Sequence, residues 1–249
     1  MHDDGRVQQV WFWVGLAAIP LLTAALAWRT RVGLGWQPAV ALLRATVQLG
    51  VVAVLLRGVV TVPLTVVAFI ALMLATASWT SGGRISQLPH GRLSAAVGVV
   101  GGASVALALA LGLRLVTLDV QHVVAIGGIV IGGAMNAATL SGRRFLHAGA
   151  LRRDEVEGWL ALGARPVQAY DEIARQAVRE ALLPNLDQTR STGLVTLPGA
   201  FVGALFGGAG PVDAAKFQLV VLAAIGLAML VCGLVVTGIA SRSPYVVVD

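Results

Sequence analysis

The sequence predicts an all-helical integral membrane protein, with about seven transmembrane helices and a helix-turn-helix segment between the fifth and the sixth. Of its 249 residues, 57% are hydrophobic and only 12% are charged, whereas soluble domains carry about 25% charged residues. Apolar windows of about 20 residues, the length that crosses the hydrocarbon core of a bilayer, recur along the chain. Residues 143–190, here called the charged segment, interrupt these windows with eight arginines and seven acidic residues.

Seven apolar windows follow one another along what we treat as a single membrane domain, residues 1–249. They cover residues 10–28, 38–56, 59–78, 95–113, 120–140, 191–208 and 217–240. Small residues allow membrane helices to approach closely. Three patterns place two glycines on one helix face: Gly98-x-x-x-Gly102, Gly128-x-x-x-Gly132 and Gly203-x-x-x-Gly207. The fifth window, which also carries Gly127 and Gly133, is predicted to run through the centre of the bundle.

The distribution of basic residues predicts the orientation. With the charged segment in the cytoplasm, thirteen arginines lie inside and four basic residues lie outside, and Arg44 lies within a span. This bias follows the positive-inside rule, so the net charge of +6 is explained without nucleic acid as a partner. The prediction is a multi-pass protein of the plasma (inner) membrane, in contact with lipid, with its N-terminus outside and its C-terminus in the cytoplasm.

Within the charged segment, local signals predict two helices joined by a sharp turn. Acidic residues at Asp154 and Glu155 suit the start of the first helix, and Gly163 suits its end. Arg165-Pro166 begins the second helix, and Leu183-Pro184 is predicted to close it. An apolar stripe follows one face of this second helix: Tyr170, Ile173, Ala174, Ala177, Ala181 and Leu182. The turn is predicted to lie furthest from the membrane.

The spacing from Glu157 through Gly163 to Ile173 resembles the EAA loop of ABC-transporter permeases, the element that docks into a groove on the ATP-binding subunit. The triplet here is Glu157-Gly158-Trp159, and Leu183-Pro184 falls later than in the usual pattern. The match to that general pattern is therefore incomplete.

A narrower resemblance covers residues 44–218, nearly the whole chain. The matching runs are Arg44-Ala45-Thr46-Val47-Gln48-Leu49, Met135-Asn136-Ala137, Glu157 with Leu160-Ala161-Leu162-Gly163-Ala164-Arg165-Pro166, Gly193-Leu194-Val195-Thr196-Leu197-Pro198-Gly199, and Ala215-Lys216-Phe217-Gln218. In this order they are similar to the FetB-like family of iron-export permeases, which has plant relatives linked to aluminium tolerance. Its substrates are not uniform, so the resemblance leaves the substrate of this chain open.

The resemblance implies a non-catalytic permease subunit of an ATP-driven transporter that exports a metal ion such as iron. It further implies a homodimer of this chain with two cytoplasmic ATP-binding subunits, which hold ATP and magnesium. The only lysine is Lys216, and a G-x-x-x-x-G-K-[ST] phosphate loop does not occur in the sequence. The residues expected to couple to the ATP-binding subunit are Glu157, Leu160, Ala161, Gly163, Ala164 and Arg165.

Polar residues within spans are costly and point to a translocation pathway. Arg44 and Gln48 lie one turn apart on the second span, and Asn136 lies near the inner end of the fifth. Together they could form a polar layer open to the cytosol; snorkelling of Arg44 and packing hydrogen bonds of Gln48 are the alternatives. Pro198-Gly199 interrupts the sixth span, as a hinge in the pathway or as a static kink. The metal ligands are unknown from the sequence.

Two other classes of membrane protein are compatible with seven spans. A seven-helix receptor shares the predicted topology, although a retinal protein needs a lysine within a span, which this sequence lacks. A secondary transporter usually carries acidic residues within the membrane to couple ions, and here every Asp and Glu is predicted to lie in a loop or tail. The sequence shows no catalytic triad or paired carboxylates of an enzyme.

Overall fold

A computed structural model describes the backbone of residues 3–59 and 63–243 and the side chains of residues 8–55 and 65–243. The described residues form ten α-helices. These are α1 (Asp3–Arg29), α2 (Gln37–Val59), α3 (Pro63–Arg84), α4 (Gly91–Gly112), α5 (Val120–Leu151), α6 (Arg153–Ala161), α7 (Pro166–Ala169), α8 (Asp171–Ser191), α9 (Gly199–Phe206) and α10 (Pro211–Ala240).

Six of these helices are long and apolar enough to cross a membrane: α1, α2, α3, α4, α5 and α10. They correspond to six of the seven predicted windows, so the prediction of an all-helical membrane fold is confirmed. Helix α5 has 32 residues, about 48 Å at 1.5 Å per residue, and it continues well beyond the predicted end of its window. Its last turns therefore extend into the charged segment.

The predicted sixth span, residues 191–208 with an interruption at Pro198-Gly199, is not a membrane-crossing helix. Helix α8 ends at Ser191, a turn follows, and α9 has only eight residues, about 12 Å, which is too short for a hydrocarbon core about 30 Å thick. Gly193, with φ +92, turns the chain. Pro198 has no N–H, so it cannot donate the backbone hydrogen bond that a helix would need at this position. Thr196 N–H donates instead to the carbonyl of Ser191 at 3.2 Å.

The first compact unit spans residues 1–62 and is a pair of helices, α1 and α2, packed on each other. The connection between them contains Arg31 at φ 56 and two glycines with positive φ, Gly33 and Gly35. Arg44 and Gln48 are exposed on α2. Their predicted association with Asn136, which belongs to the second unit, stays a prediction.

The second compact unit, residues 63–249, is built around the contact between α4 and α10, its most extensive helix pair. Gly102 explains the close approach, because a Cβ there would lie 2.5 Å from the carbonyl oxygen of Ala228. Gly98 meets Cys232 and Val236 in the same way. The glycine pattern of α4 is thus a helix contact, as predicted.

Helix α5 occupies the centre of the second unit, as predicted, and contacts α3, α4, α8 and α10. Its glycines contribute unequally. A Cβ at Gly133 would meet Ile225 at 2.9 Å and one at Gly128 would meet Met73 at 3.1 Å, whereas Gly132 faces open space. On α9, Gly203 also faces open space, so the third predicted glycine contact is absent among the described residues.

Helices α5 and α10 run parallel. The rings of His122 and Phe217 meet near their starts, 5.3 Å apart, and the thiol of Cys232 donates to the carbonyl of Ala134 further along, at 3.2 Å. After α5 ends, the chain must therefore return to the opposite end of the bundle before α10 can begin. It does so along α8, the turn at residues 192–198, and α9, here called the broken element.

Helix α8 departs from two predictions. It continues through Pro184 to Ser191, because its buried face packs on α5 and α10 and tertiary packing tolerates a proline inside such a helix. Its last turns also do not lie wholly outside the spans. Asn185 and Gln188 share a cavity with Ile129 of α5 and Ile225 of α10, at the level of the predicted apolar windows.

Candidate functional site

The first candidate site is the turn between α6 and α7, here called the coupling turn, residues 157–168. Helix α6 ends in a Schellman motif: Gly163 N–H donates to the carbonyl of Leu160 and Ala164 N–H to that of Trp159, both at 3.0 Å. Gly163 has φ +88, a conformation that residues other than glycine adopt at a cost. The predicted end of the first helix at Gly163 is confirmed.

The second half of the coupling turn is also fixed by local hydrogen bonds. Arg165 is extended, with φ −70 and ψ 150, and Pro166 begins a helix, as predicted, but this helix, α7, ends at Ala169 and a separate helix, α8, begins at Asp171. The side chain of Gln168 accepts from Arg165 N–H at 3.0 Å. The chain therefore reverses its direction through a short turn whose backbone groups form hydrogen bonds within the turn itself.

The tip of the coupling turn is apolar. Leu162 is 83% exposed, and Trp159 and Val167 are about half exposed, in a segment that is otherwise rich in charge. Among the predicted coupling residues, Glu157, Ala161, Gly163 and Arg165 are exposed, whereas Leu160 and Ala164 are partly buried. Exposed apolar clusters with a charged surround are typical of docking surfaces. The coupling residues predicted from the sequence did not include Trp159, Leu162 or Val167.

The helix that follows the coupling turn, α8, packs on the membrane helices. Tyr170 packs on Phe145 of α5 with ring centroids 5.4 Å apart, and Arg144 pairs with Glu180 of α8 at 3.3 Å. Val178 fits against Gly233 of α10, where a Cβ would lie 3.3 Å away. The predicted apolar stripe thus faces α5 and α10.

The second candidate site is a cavity of about 680 Å³ between α5, the broken element and α10, here called the amide cavity. Its polar side chains are four amides and one imidazole: Gln121, Asn185, Gln188, Gln218 and His122. The remaining walls are small or apolar, with Ile129, Phe217 and Leu222 among them. A few polar groups converging in a largely apolar hollow of this size are typical of small-molecule sites.

Two polar groups of the amide cavity are held by hydrogen bonds. Gln218 is buried and its side-chain oxygen accepts from Phe201 N–H at 3.2 Å, which ties the start of α9 to α10. His122 Nδ1 lies 2.6 Å from a carboxylate oxygen of Asp119. Partial burial opposes ionisation of Asp119, but hydrogen bonds from Thr117 and His122 outweigh it and lower its pKa to about 2. Asp119 is thus a stable anion that orients the imidazole.

The predicted pathway residues are distributed over several places. Pro198 and Gly199 line the amide cavity, at the junction between the turn and α9; they end an interruption rather than kink a continuous helix. Asn136 is exposed on α5, fifteen residues after Gln121 and on the same helix face. Among the described residues, no group of three or more His, Cys, Asp or Glu side chains is arranged to hold a metal.

Comparisons with known proteins agree in one family. Residues 8–245 match the Uncharacterised protein family (UPF0014). The chain is 32% identical to the UPF0014 membrane protein STAR2 of Oryza sativa over 84% of this chain and 74% of that protein. It is 30% identical to the probable iron export permease protein FetB of Escherichia coli, over 72% and 70% respectively. It is 31% identical to the protein ALUMINUM SENSITIVE 3 of Arabidopsis thaliana, over 60% and 55%. No solved structure matches the chain at a significant level.

Proposed function

The chain belongs to the UPF0014 family of membrane proteins, and we propose that it is the permease subunit of an ATP-driven ABC transporter that exports a metal ion such as iron. The coupling turn is the observation that carries this proposal: an apolar tip presented by a Schellman turn and braced on the membrane helices. The relative named as a probable iron export permease supports the direction and the cargo. ATP and magnesium are expected on a separate subunit, because this sequence has no phosphate-binding loop.

Docking of an ATP-binding subunit at the coupling turn can be tested by introducing a charge at the apolar tip. Leu162→Asp introduces a carboxylate at the exposed tip and is expected to weaken binding of the ATP-binding subunit at least roughly tenfold, since buried anchor residues dominate interfaces. Leu151→Asp is the control, because Leu151 is similarly exposed at the end of α5. Binding is measured by titrating the purified ATP-binding subunit against each variant in lipid nanodiscs. Equal affinities of the two variants and the wild type would contradict docking at the tip.

Two permease chains and two ATP-binding subunits are expected in the working complex. One chain offers one coupling turn, whereas ABC systems hydrolyse ATP between two ATP-binding subunits. The mass of the purified complex in nanodiscs, measured by light scattering at saturating ATP, is expected to fit two copies of each. A stable one-to-one complex under these conditions would refute the homodimer.

The orientation can be tested with a membrane-impermeant thiol reagent. Glu155→Cys is expected to react only after the membrane is opened, because α6 lies in the cytoplasm, whereas Asp213→Cys at the start of α10 reacts in intact spheroplasts. Both side chains are exposed, and the single native cysteine, Cys232, is buried. Labelling of Glu155→Cys from the outside overturns the proposed orientation, with N-terminus outside and C-terminus inside the plasma membrane.

The pathway for the cargo is proposed to include Arg44 and Gln48 of α2, Asn136 of α5, and Pro198 and Gly199 of the broken element. The last two line the amide cavity, and broken helices frequently form transport sites in membrane proteins. Asn136 continues the face of Gln121 along α5 towards the coupling turn.

A further inference from the structure

The amide cavity lies where the broken element passes beside α5 and α10. Asn185 and Gln188, from the last turns of α8, face Gln121 and His122 near the start of α5. These four side chains come from two helices that the sequence separates by more than 60 residues. The packing of α8 on α5 and α10 brings them together.

Building on the proposed function, we propose that the amide cavity is the cargo site and that the metal enters it as a complex with an oxygen-rich organic ligand. Amide N–H groups donate to carboxylate oxygens of such a ligand, and amide carbonyls accept from metal-bound water or hydroxyl groups. Among the described residues, no group of three or more His, Cys, Asp or Glu side chains could hold a bare metal ion, and the one imidazole of the cavity, His122, already contacts Asp119. The polar lining of the cavity is therefore better suited to form hydrogen bonds with the outer surface of a metal complex than to coordinate an uncomplexed metal ion.

The size of the cavity supports the same cargo. A volume of about 680 Å³ corresponds to roughly twenty water molecules at about 30 Å³ each, and lies within the range of pockets that hold whole small molecules. A bare ion would be left loose in it. A complex also carries its metal at a lower net charge, which reduces the cost of bringing that charge into a site with apolar walls.

The test uses the complete complex with its ATP-binding subunit in nanodiscs and a doubly labelled probe, ferric citrate carrying radioactive iron and radioactive carbon. Both labels are expected to bind in the ratio of the free complex. Gln188→Leu is expected to weaken binding of both labels roughly tenfold, because it removes hydrogen bonds to a charged ligand. Gln176→Leu is the control: it makes the same change on α8, where Gln176 donates to Glu180 at 3.0 Å, outside the cavity.

Each result decides a separate part of the proposal. Binding of iron without citrate overturns the complexed form of the cargo, and binding of citrate without iron overturns the metal. Unchanged binding in Gln188→Leu, or no binding of either label, overturns the amide cavity as the site for this class of cargo. ATP hydrolysis and subunit composition, measured on the same preparation, test the proposed function independently. If the complex is intact and hydrolyses ATP, but Gln188→Leu binds both labels as the wild type does, only the assignment of the amide cavity as the cargo site is refuted.

Discussion

Gly163→Val is expected to leave the protein in the membrane but to reduce ATP-driven metal export at least roughly tenfold. Gly163 has φ +88, and left-handed backbone costs other residues about 1–2 kcal/mol, with β-branched valine among the least tolerant. The Schellman hydrogen bonds from Gly163 and Ala164 would be lost or bent. The apolar tip would then meet the ATP-binding subunit in the wrong direction, so ATP hydrolysis is uncoupled from transport.

Gly158→Val provides the control for this prediction. Gly158 lies in α6, five residues before Gly163, with open space beside it and no positive φ. The measurements are the amount of each variant in the membrane, ATP hydrolysis by the reconstituted complex, and ATP-dependent accumulation of radioactive iron in inside-out vesicles. Normal accumulation by Gly163→Val, or equal losses in the two variants, would remove the backbone of the coupling turn from the transport mechanism.

Gly102→Val is expected to have the largest effect on stability. The new Cβ would lie 2.5 Å from the carbonyl oxygen of Ala228 and 3.0 Å from the Cβ of Cys232, so α4 and α10 must separate along their most extensive contact. Overpacking of this kind typically costs about 1–3 kcal/mol. We expect the midpoint of thermal unfolding to fall by roughly 3–10 °C and the yield of folded protein to decrease.

The neighbouring glycine tests whether the effect comes from the helix contact. Gly101 lies on the same helix with open space beside it, so Gly101→Val adds the same side chain without the collision. Thermal unfolding in detergent, followed by the loss of monodisperse protein after heating, compares the two variants. A fall of the same size in both would show that valine disturbs α4 by itself and that the contact with α10 is not responsible.

Hydropathy predicted most of the bundle. A membrane-crossing helix needs about 20 apolar residues whether its side chains pack against other helices or face lipid. The coupling turn was also predictable, since Gly163 and Pro166 act locally on the backbone. The break at residues 192–198 was predictable only in part, because Pro198-Gly199 indicates an interruption but not the turn that precedes it. The average hydropathy of residues 191–208 is high whether the helix continues or stops. Only the turn around Gly193, with its hydrogen bonds to Ser191 and Thr196, distinguishes a broken helix from a continuous one.

The amide cavity could be predicted only in part. Asn185 and Gln188 lie in a charged stretch that, on the sequence alone, resembles a solvated surface; tertiary packing of α8 on α5 and α10 decides their position. Gln218 gave a usable signal, because an amide within a span needs a partner, and it finds one in Phe201 N–H. The orientation predicted from the distribution of arginines stays a prediction.

Helix α5 joins the two candidate sites in one piece. It lines the amide cavity with Gln121 at its start and supports Tyr170 through Phe145 near its end, and its 32 residues contain no proline. The glycines that pack closely against α3 and α10, Gly128 and Gly133, lie between these two ends. In the proposed transporter, a displacement received near Phe145 therefore reaches the wall of the amide cavity through one uninterrupted helix, with no second element between them.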